Sequence, residues 1–262
     1  EYSLVITNVP YRSSIDLVPE LNYFFKQEYA DAKTAIETVF LRRCLQFCSN
    51  EGAICLVLPQ DWLFKTSYEE MRKKLLKNER WRFIAMLGPK AFQTPMWDFN
   101  VQLLVMSRNA QKVDKEYSVK GVDLGDYRSP EEKSQKLKRE NIKKIFQSEQ
   151  LDNPDSRIVL ESISKGLLLG KYARSIQGIK SGDDGRVRRN FWEIQSNTTT
   201  WVYYQSTFSK SNFFDGLKYI IYWGDEGEGL ARRQGKGAWG KKGLAISQMA
   251  SLPAALYLGQ KY

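Results

Sequence analysis

The first 110 residues alternate between short apolar runs and amphipathic stretches. Residues 2–6 are apolar and end in the turn-rich Thr7-Asn8-Val9-Pro10-Tyr11-Arg12-Ser13-Ser14. Residues 34–48 carry Ile36, Val39, Phe40, Cys44 and Phe47 at helical spacing. After Gly52, residues 53–58 are continuously apolar, which predicts a strand covered on both faces. Residues 67–78 predict a second amphipathic helix, with Ser67 as N-cap and Glu69/Lys73 and Glu70/Lys74 as i,i+4 pairs. Residues 81–87 and 101–107 predict two more strands, joined by a two-proline loop longer than a tight hairpin needs. The order β-loop-α-β-α-β-loop-β predicts an α/β fold, a doubly wound parallel sheet whose last strand can insert antiparallel. Helix-covered strands extend to one side only. With Glu1-Tyr2-Ser3 leading straight into a strand and no initiator Met, half a sheet and an excised piece of a longer protein are expected.

Residues 111–150 are charged and alternate in sign, with Ser129-Pro130 opening a helix-like run to about Gln147, the pattern of a solvated helical linker. From residue 151 short β-type runs at 201–204, 219–223 and 256–258 alternate with Gly, Asn, Asp and Ser turns. This predicts a second, mixed and β-rich region. The organisation expected is therefore 1–110, 111–150 and 151–262.

Composition narrows the chemistry. At 42% hydrophobic and 13% aromatic the chain is globular, and no run approaches the roughly 18 apolar residues of a membrane span. Cys44, Cys48 and Cys55 read as small core residues of a reducing compartment, so a cytoplasmic location is expected. The chain has no histidine, which excludes Ser-His triads, histidine bases and His-containing zinc sites within it. Of the net charge of +10, more than half lies after residue 150, where a polyanion partner would require it.

The sharpest local signal is Thr7-Asn8-Val9-Pro10-Tyr11 directly after an apolar strand. In open α/β sheets ligands bind outside the carboxyl ends of strands. A loop there can hold a planar heterocycle by its exocyclic amine. Asn8 Oδ1 and the Val9 carbonyl each accept one N–H, Pro10 fixes the backbone, and Tyr11 offers a ring face. Two acceptors on the hydrogens of an adenine N6 favour a pyramidal nitrogen with its lone pair directed outward. A sulfonium methyl, as in S-adenosylmethionine, is the matching electrophile, and its transfer needs positioning more than a general base. The alternative is that Asn-Val-Pro-Tyr is simply a turn.

The segment Leu4-Val5-Ile6-Thr7-Asn8-Val9-Pro10-Tyr11 resembles the Asn-Pro-Pro-Tyr motif of the amino-methyltransferases. Residues 38–45, 52–62 and 68–76 follow in the order seen in large N6-adenine DNA methyltransferases of type II restriction–modification and BREX-type phage-defence systems. The resemblance implies the C-terminal half of a Rossmann-like methyltransferase sheet, followed by a mixed, β-rich target-recognition region entered around residues 165–195. It implies S-adenosylmethionine as cofactor, double-stranded DNA as partner, a flipped adenine, and restriction or defence-system subunits. Asn8, Val9, Pro10 and Tyr11 are then catalytic-site residues, with Asn8 at the edge of the cofactor pocket. Gly88-Pro89-Lys90-Ala91-Phe92 is similar to the loop whose aromatic stacks on the second face of the base, which assigns that role to Phe92, with Phe99 as fallback. Two departures stand out. Val9 replaces the first proline, which predicts a looser loop, and the Gly-rich cofactor loop and ribose-binding acid that precede the motif in such enzymes are not in this chain. On its own the piece is therefore expected to be inactive. The rival reading is an inactive DNA-binding or assembly module, or an amino-methyltransferase acting on RNA or protein.

Two basic stretches are candidate DNA contacts: Lys180, Ser181, Arg186, Arg188 and Arg189 in one, and Arg232, Arg233, Lys236, Lys241 and Lys242 in a loop with seven glycines between 224 and 243. A charged surface turn and a solvated, mobile loop are the alternatives. Gly235…Gly240 fits G-x-G-x-x-G and nearly a P-loop, but no buried strand precedes it and Lys242 stands where Ser/Thr would meet Mg²⁺. Trp62, Trp81, Trp97 and Trp192 read as packing residues.

Overall fold

A computed structural model describes residues 1–93, 99–109, 113–161, 167, 169–194, 199–248 and 252–261. Two units separate at Lys165/Gly166.

Unit 1 is a mixed α/β structure around a six-stranded sheet. Strand β1 (Tyr2–Asn8) is followed by α1 (Pro19–Glu28), α2 (Ile36–Phe47), β2 (Cys48–Pro59), α3 (Glu69–Asn78), β3 (Arg80–Gly88), β4 (Val101–Ser107), β5 (Ser118–Asp123), α4 (Pro130–Leu137) and β6 (Lys143–Phe146). The strand order is β1-β2-β4-β3-β5-β6. β1/β2 and β3/β5 are parallel, whereas β4 runs antiparallel between β2 and β3. The antiparallel insertion is thus the expected last strand of the N-terminal pattern.

The core forms where α2 and α3 cover the sheet. Ile54, Leu56 and Leu58 of β2 are buried with Val39, Leu41, Cys44 and Leu45 of α2. Residues 53, 55 and 57 are only half-buried, so β2 is fully covered on one face rather than on both. The inward face of α2 also departs from the predicted stripe. Leu41 and Leu45 point in, while Phe40 and Phe47 are exposed, the latter under the Arg43 guanidinium at 4.5 Å. Burial removes roughly 1.5–3 kcal/mol of exposure cost per large aliphatic side chain, so the fully buried leucines carry this packing. In α3, Met71, Arg72, Leu75 and Leu76 share the inward face. Its cap is not Ser67, which lies in the 3-10 turn Thr66–Tyr68; Tyr68 holds the N-cap position without a side-chain bond. Lys73 pairs with Glu69 at 2.6 Å as expected, but Lys74 turns to Asp31 at 3.4 Å instead of to Glu70.

The expected linker is part of the sheet. β5 and β6 extend it, and β6 pairs antiparallel with β5. Gln147 is fully buried: its Oε1 accepts from Trp81 N–H at 3.0 Å and its Nε2 donates to the Leu76 and Glu79 carbonyls at 2.7 Å. Arg72 likewise reaches the carbonyls of Asp155 and Ser156. Ile158 and Leu160 are buried in the main core, and a Cβ on Gly121 would stand 2.3 Å from Leu160 Cδ2, so glycine there admits that packing. The unit therefore continues past residue 150. The predicted helix does open at Ser129-Pro130, through a capping box between Ser129 and Glu132, yet it ends at Leu137.

Unit 2 is β-rich, as expected. A three-stranded antiparallel sheet, β7 (Arg188–Asn190), β9 (Tyr219–Tyr222) and β8 (Trp201–Tyr204), lies beside a hairpin of β10 (Gly243–Ile246) and β11 (Ala254–Tyr257). The one-turn helix α5 (Asp184–Val187) precedes β7, and Ile179, Val187, Ile221 and Leu230 form a small core.

Candidate functional site

Asn8 is the last residue of β1, paired in parallel register with Val57, and it is exposed. Val9 then turns inward and is 4% exposed within the main core, so the loop is held by packing where a looser backbone was expected. Tyr11 is half-buried against two apolar clusters, and its hydroxyl donates to Asn8 Oδ1 at 3.0 Å. Burial, and secondarily the carboxylate of Glu37, push the Tyr11 pKa up to about 12. The phenol accordingly stays a donor at neutral pH.

The chain after the motif is tied to the start of α2. Arg12 N–H donates to Glu37 Oε2 at 3.3 Å, Ile36 N–H to the Arg12 carbonyl at 3.0 Å, and Ser14 N–H to the Thr34 carbonyl at 3.1 Å. Burial raises the Glu37 carboxyl above its usual range, against the lowering effect of backbone N–H bonds. Glu37 was not singled out from sequence. Its signal is an acidic residue in the first turn of a helix beside the motif, which is also where the helix dipole favours one.

Phe92 and Phe99 are both exposed, on either side of residues 94–98, which with Pro95 and Trp97 lie outside the described residues. It is Phe99, the fallback, whose ring lies against Tyr11, at 6.2 Å between centroids and 48° between planes. Gln60 fixes the chain next to Phe99: its backbone N–H donates to the Asn100 carbonyl and its Nε2 to the Val101 carbonyl, both at 2.8 Å. Gln60 too was missed from sequence.

Residues 1–92 match the Eco57I restriction-modification methylase family. The resemblance of this part to adenine methyltransferases is thereby borne out. Among curated relatives, the adenine-specific methyltransferase BrxX of Escherichia coli O9:H4 (strain HS) is 31% identical over 91 residues, covering 35% of this chain and 8% of that protein. The adenine-specific methyltransferase PglX of Lacticaseibacillus casei (strain Zhang) is 21% identical over 262 residues, covering 88% of this chain and 21% of that protein. The chain thus spans about a fifth, or less, of the length of these relatives. Among solved structures, the ATP-dependent Type ISP restriction-modification enzyme LlaBIII bound to DNA aligns with a TM-score of 0.48 and 14% identity, covering 72% of this chain and 15% of that one.

Among the described residues, Asn8 is the one that the sequence places at the edge of a cofactor site. β1 is an edge strand of the described sheet, and Asn8 at its end lines neither of the two described cavities, of about 340 and 280 Å³. Among the described residues no group of three or more Cys, Asp or Glu could hold a metal ion, and no helix is long and apolar enough to cross a membrane.

In unit 2 the two basic stretches meet. Lys180 and Arg232 exchange backbone hydrogen bonds of 3.1 and 3.0 Å in an antiparallel bridge, and Ala231 N–H donates to the Ser181 carbonyl at 3.2 Å. Arg232, Lys236, Lys241 and Lys242 are exposed, although the Lys241 ammonium donates to the Gly237 carbonyl at 2.9 Å. Others of the set are engaged within the unit. Arg186 donates to the Gly229 carbonyl, Arg233 to that of Glu226, Arg188 pairs with Asp184 at 2.8 Å over the Tyr219 ring, and Arg189 lies over Trp201. The glycine-rich loop is pinned: Trp239 packs edge-on to Trp223, Lys261 Nζ sits 3.6 Å from the Trp239 centroid, and Gly240 N–H donates to the Gly259 carbonyl. Trp62 and Trp81 are buried against each other, but Trp192 is 63% exposed and does not pack into a core.

Proposed function

We propose that the full-length protein methylates adenine N6 in duplex DNA, that S-adenosylmethionine is its methyl donor, and that this chain holds the acceptor base. The observation that carries the reading is Asn8 at the carboxyl end of β1, with its amide oriented by Tyr11, inside the segment that matches the methylase family. The relatives' names as adenine-specific methyltransferases support the same substrate. Restriction or phage-defence subunits are the partners this reading expects.

S-adenosylmethionine supplies the electrophilic methyl; what the residues of this chain do concerns the acceptor. An amide oxygen has two lone pairs. The Tyr11 hydroxyl occupies one on Asn8 Oδ1, which fixes which end of the amide faces outward, and the other is left to accept N6–H. The Val9 carbonyl is the second acceptor. N6 is unreachable inside a duplex, so the base must be extruded and held between rings. Two stacking contacts of about 3.5 Å require ring centroids about 7 Å apart. The Tyr11–Phe99 pair needs only a small opening and rotation to reach that spacing, which favours Phe99 over Phe92 as the second face. The exposed basic residues of unit 2 are suited to phosphates, whose contacts set register and make binding salt-dependent.

Asn8→Ala in the full-length protein should abolish methylation while DNA affinity stays within about twofold, because the side chain acts on the base rather than on the backbone. Wild-type turnover in that variant would remove Asn8 from the mechanism.

A further inference from the structure

Helix α4 holds a side chain that the reading so far leaves unused. Lys133 is 3% exposed, and its ammonium donates to the Leu87 and Leu124 carbonyls, the latter at 2.9 Å. These carbonyls close two neighbouring strands, β3 and β5, at the points where their loops depart. Gly88 at φ 68° turns the chain there, so tightly that a Cβ would stand 2.8 Å from Gly125 Cα. An apolar side chain of similar length would fill the space at less desolvation cost, but it would take the ammonium from the Leu87 carbonyl and leave the Leu124 carbonyl with only the Tyr127 N–H, at 3.2 Å. Burial lowers the Lys133 pKa, as expected for an ammonium enclosed by carbonyls and not by a carboxylate.

A second tie runs from the same helix to the same loop. Gln93 Nε2 donates to Glu131 Oε1 at 2.6 Å, one residue after Phe92. A third contact is apolar: Leu137 of α4, Ala91 of the loop and Tyr11 all pack on the cluster of Leu87, Val101 and Leu124. One helix therefore grips the root of the β3–β4 loop by its backbone, by a side chain within it and through the cluster it shares with Tyr11.

We propose that α4 is the buttress that fixes residues 88–93 and the Leu87–Val101–Leu124 cluster on which Tyr11 packs, with Lys133 and Glu131 as positioning residues for the ring that covers the second face of the base. The proposal rests on the base-holding role given above to Tyr11 and this loop. Misplacing such a ring by about 1 Å is enough to slow a positioned reaction by up to about 100-fold without weakening contacts made elsewhere.

The test uses the full-length protein as wild type, Glu131→Ala, Gln93→Ala and Lys133→Met. Glu131 is exposed, so its variant folds whatever becomes of the buried lysine. The substrate is amplified, methylation-free genomic DNA, which removes the need to know the recognised sequence. N6-methyldeoxyadenosine is counted by mass spectrometry, DNA affinity is read by anisotropy, and hydrogen exchange is followed at residues 89–93 and 99–101. Glu131→Ala and Gln93→Ala should each lower kcat about tenfold. The double variant should be no slower than either, DNA affinity should hold within twofold, and exchange should quicken at the loop but not in β2. Lys133→Met should exceed both. Wild-type kcat and loop exchange in the variants would overturn the buttress. A wild type that methylates no adenine overturns the proposed function instead. Exchange alone then decides: lost loop protection in Glu131→Ala supports the buttress, and unchanged protection in it and Lys133→Met overturns it.

Discussion

Replacing Arg72 by methionine keeps most of the volume on the buried face of α3 and removes a guanidinium that serves four carbonyls. Arg72 is fully buried. It donates to the Trp62 carbonyl at 2.6 Å and the Ser156 carbonyl at 3.1 Å in buried surroundings, and to those of Lys65 at 2.7 Å and Asp155 at 2.6 Å where solvent reaches partway. Methionine leaves the first two acceptors unsatisfied, at about 1–3 kcal/mol each, while water can recover part of the other two. Relief from burying a charge offsets some of the loss, since burial alone already lowers the Arg72 pKa. The balance is about 3–5 kcal/mol, and for a unit of this size each kcal/mol lowers Tm by about 2–4 °C. Thermal unfolding of the 262-residue chain, followed by far-UV circular dichroism, should therefore shift by about 6–20 °C for its main transition. Arg72→Lys should fall between, because one ammonium cannot serve four carbonyls spread over residues 62–65 and 155–156. A shift below about 3 °C would refute the argument and mean that the carbonyls are satisfied by water.

Three further outcomes follow from the site. Tyr11→Phe removes one neutral hydrogen bond to Asn8 and should lower kcat by about 2–12-fold, the equivalent of 0.5–1.5 kcal/mol; a loss of several thousandfold in single-turnover assays would make the hydroxyl a participant in proton transfer instead. Phe99→Ala should reduce turnover more than Phe92→Ala does, with DNA affinity nearly equal in the two, and the reverse order would return the stacking role to Phe92. Glu37 has a raised carboxyl pKa, so its contribution is present below the unfolded value near 4.5 and is lost as pH rises through the higher folded value. Glu37→Gln, which mimics the protonated form, should match the wild type at pH 4 and exceed its stability increasingly towards neutrality in paired urea titrations. A difference independent of pH would show that the carboxyl ionises with equal ease in both states.

How much of this was legible beforehand depended on whether one segment carried its own signal. β1 through β4 were readable because their apolar runs are long and their turns carry Gly or Pro. β5 was not, because Ser-Val-Lys-Gly-Val-Asp offers only Val119 and Val122 to the core, and the lysines around β6 point outward from a single buried Ile145. Short strands with few core-facing residues and charged neighbours, here β6 at the sheet's edge and β5 next to it, carry the same charge alternation as a solvated helix. What fixes them is tertiary: Gln147 and Arg72 reach backbone carbonyls dozens of residues away, and no local pattern announces a glutamine or arginine that will do so. The motif residues Asn8–Tyr11 were legible as a unit because all lie within four positions. Phe99, Gln60 and Glu37 come near them only through the fold, whereas Phe92 was named because Gly88–Phe92 resembles the family's loop.

Val9 shows how the same constraint can be met by different means. Proline stiffens a backbone from within, by closing φ and biasing its neighbour. Valine has neither property, and set against the resembled motif its presence predicts a loosened loop. Its side chain, however, is directed into the main core with Phe25 and Tyr29 of the α1 region and Leu41 of α2, so the peptide is held from outside by burial. A β-branched side chain has few rotamers to lose, and placing it in a packed site is worth roughly 1.5–3 kcal/mol. That is comparable with the conformational entropy of fixing one residue's backbone, about 1–2 kcal/mol. In the proposed mechanism the acceptor at this position is a carbonyl, which both residues possess. The substitution therefore changes what holds the carbonyl and leaves its chemistry intact. A motif match judged residue by residue undervalues this chain, because the lost proline is compensated by a contact that only the fold makes.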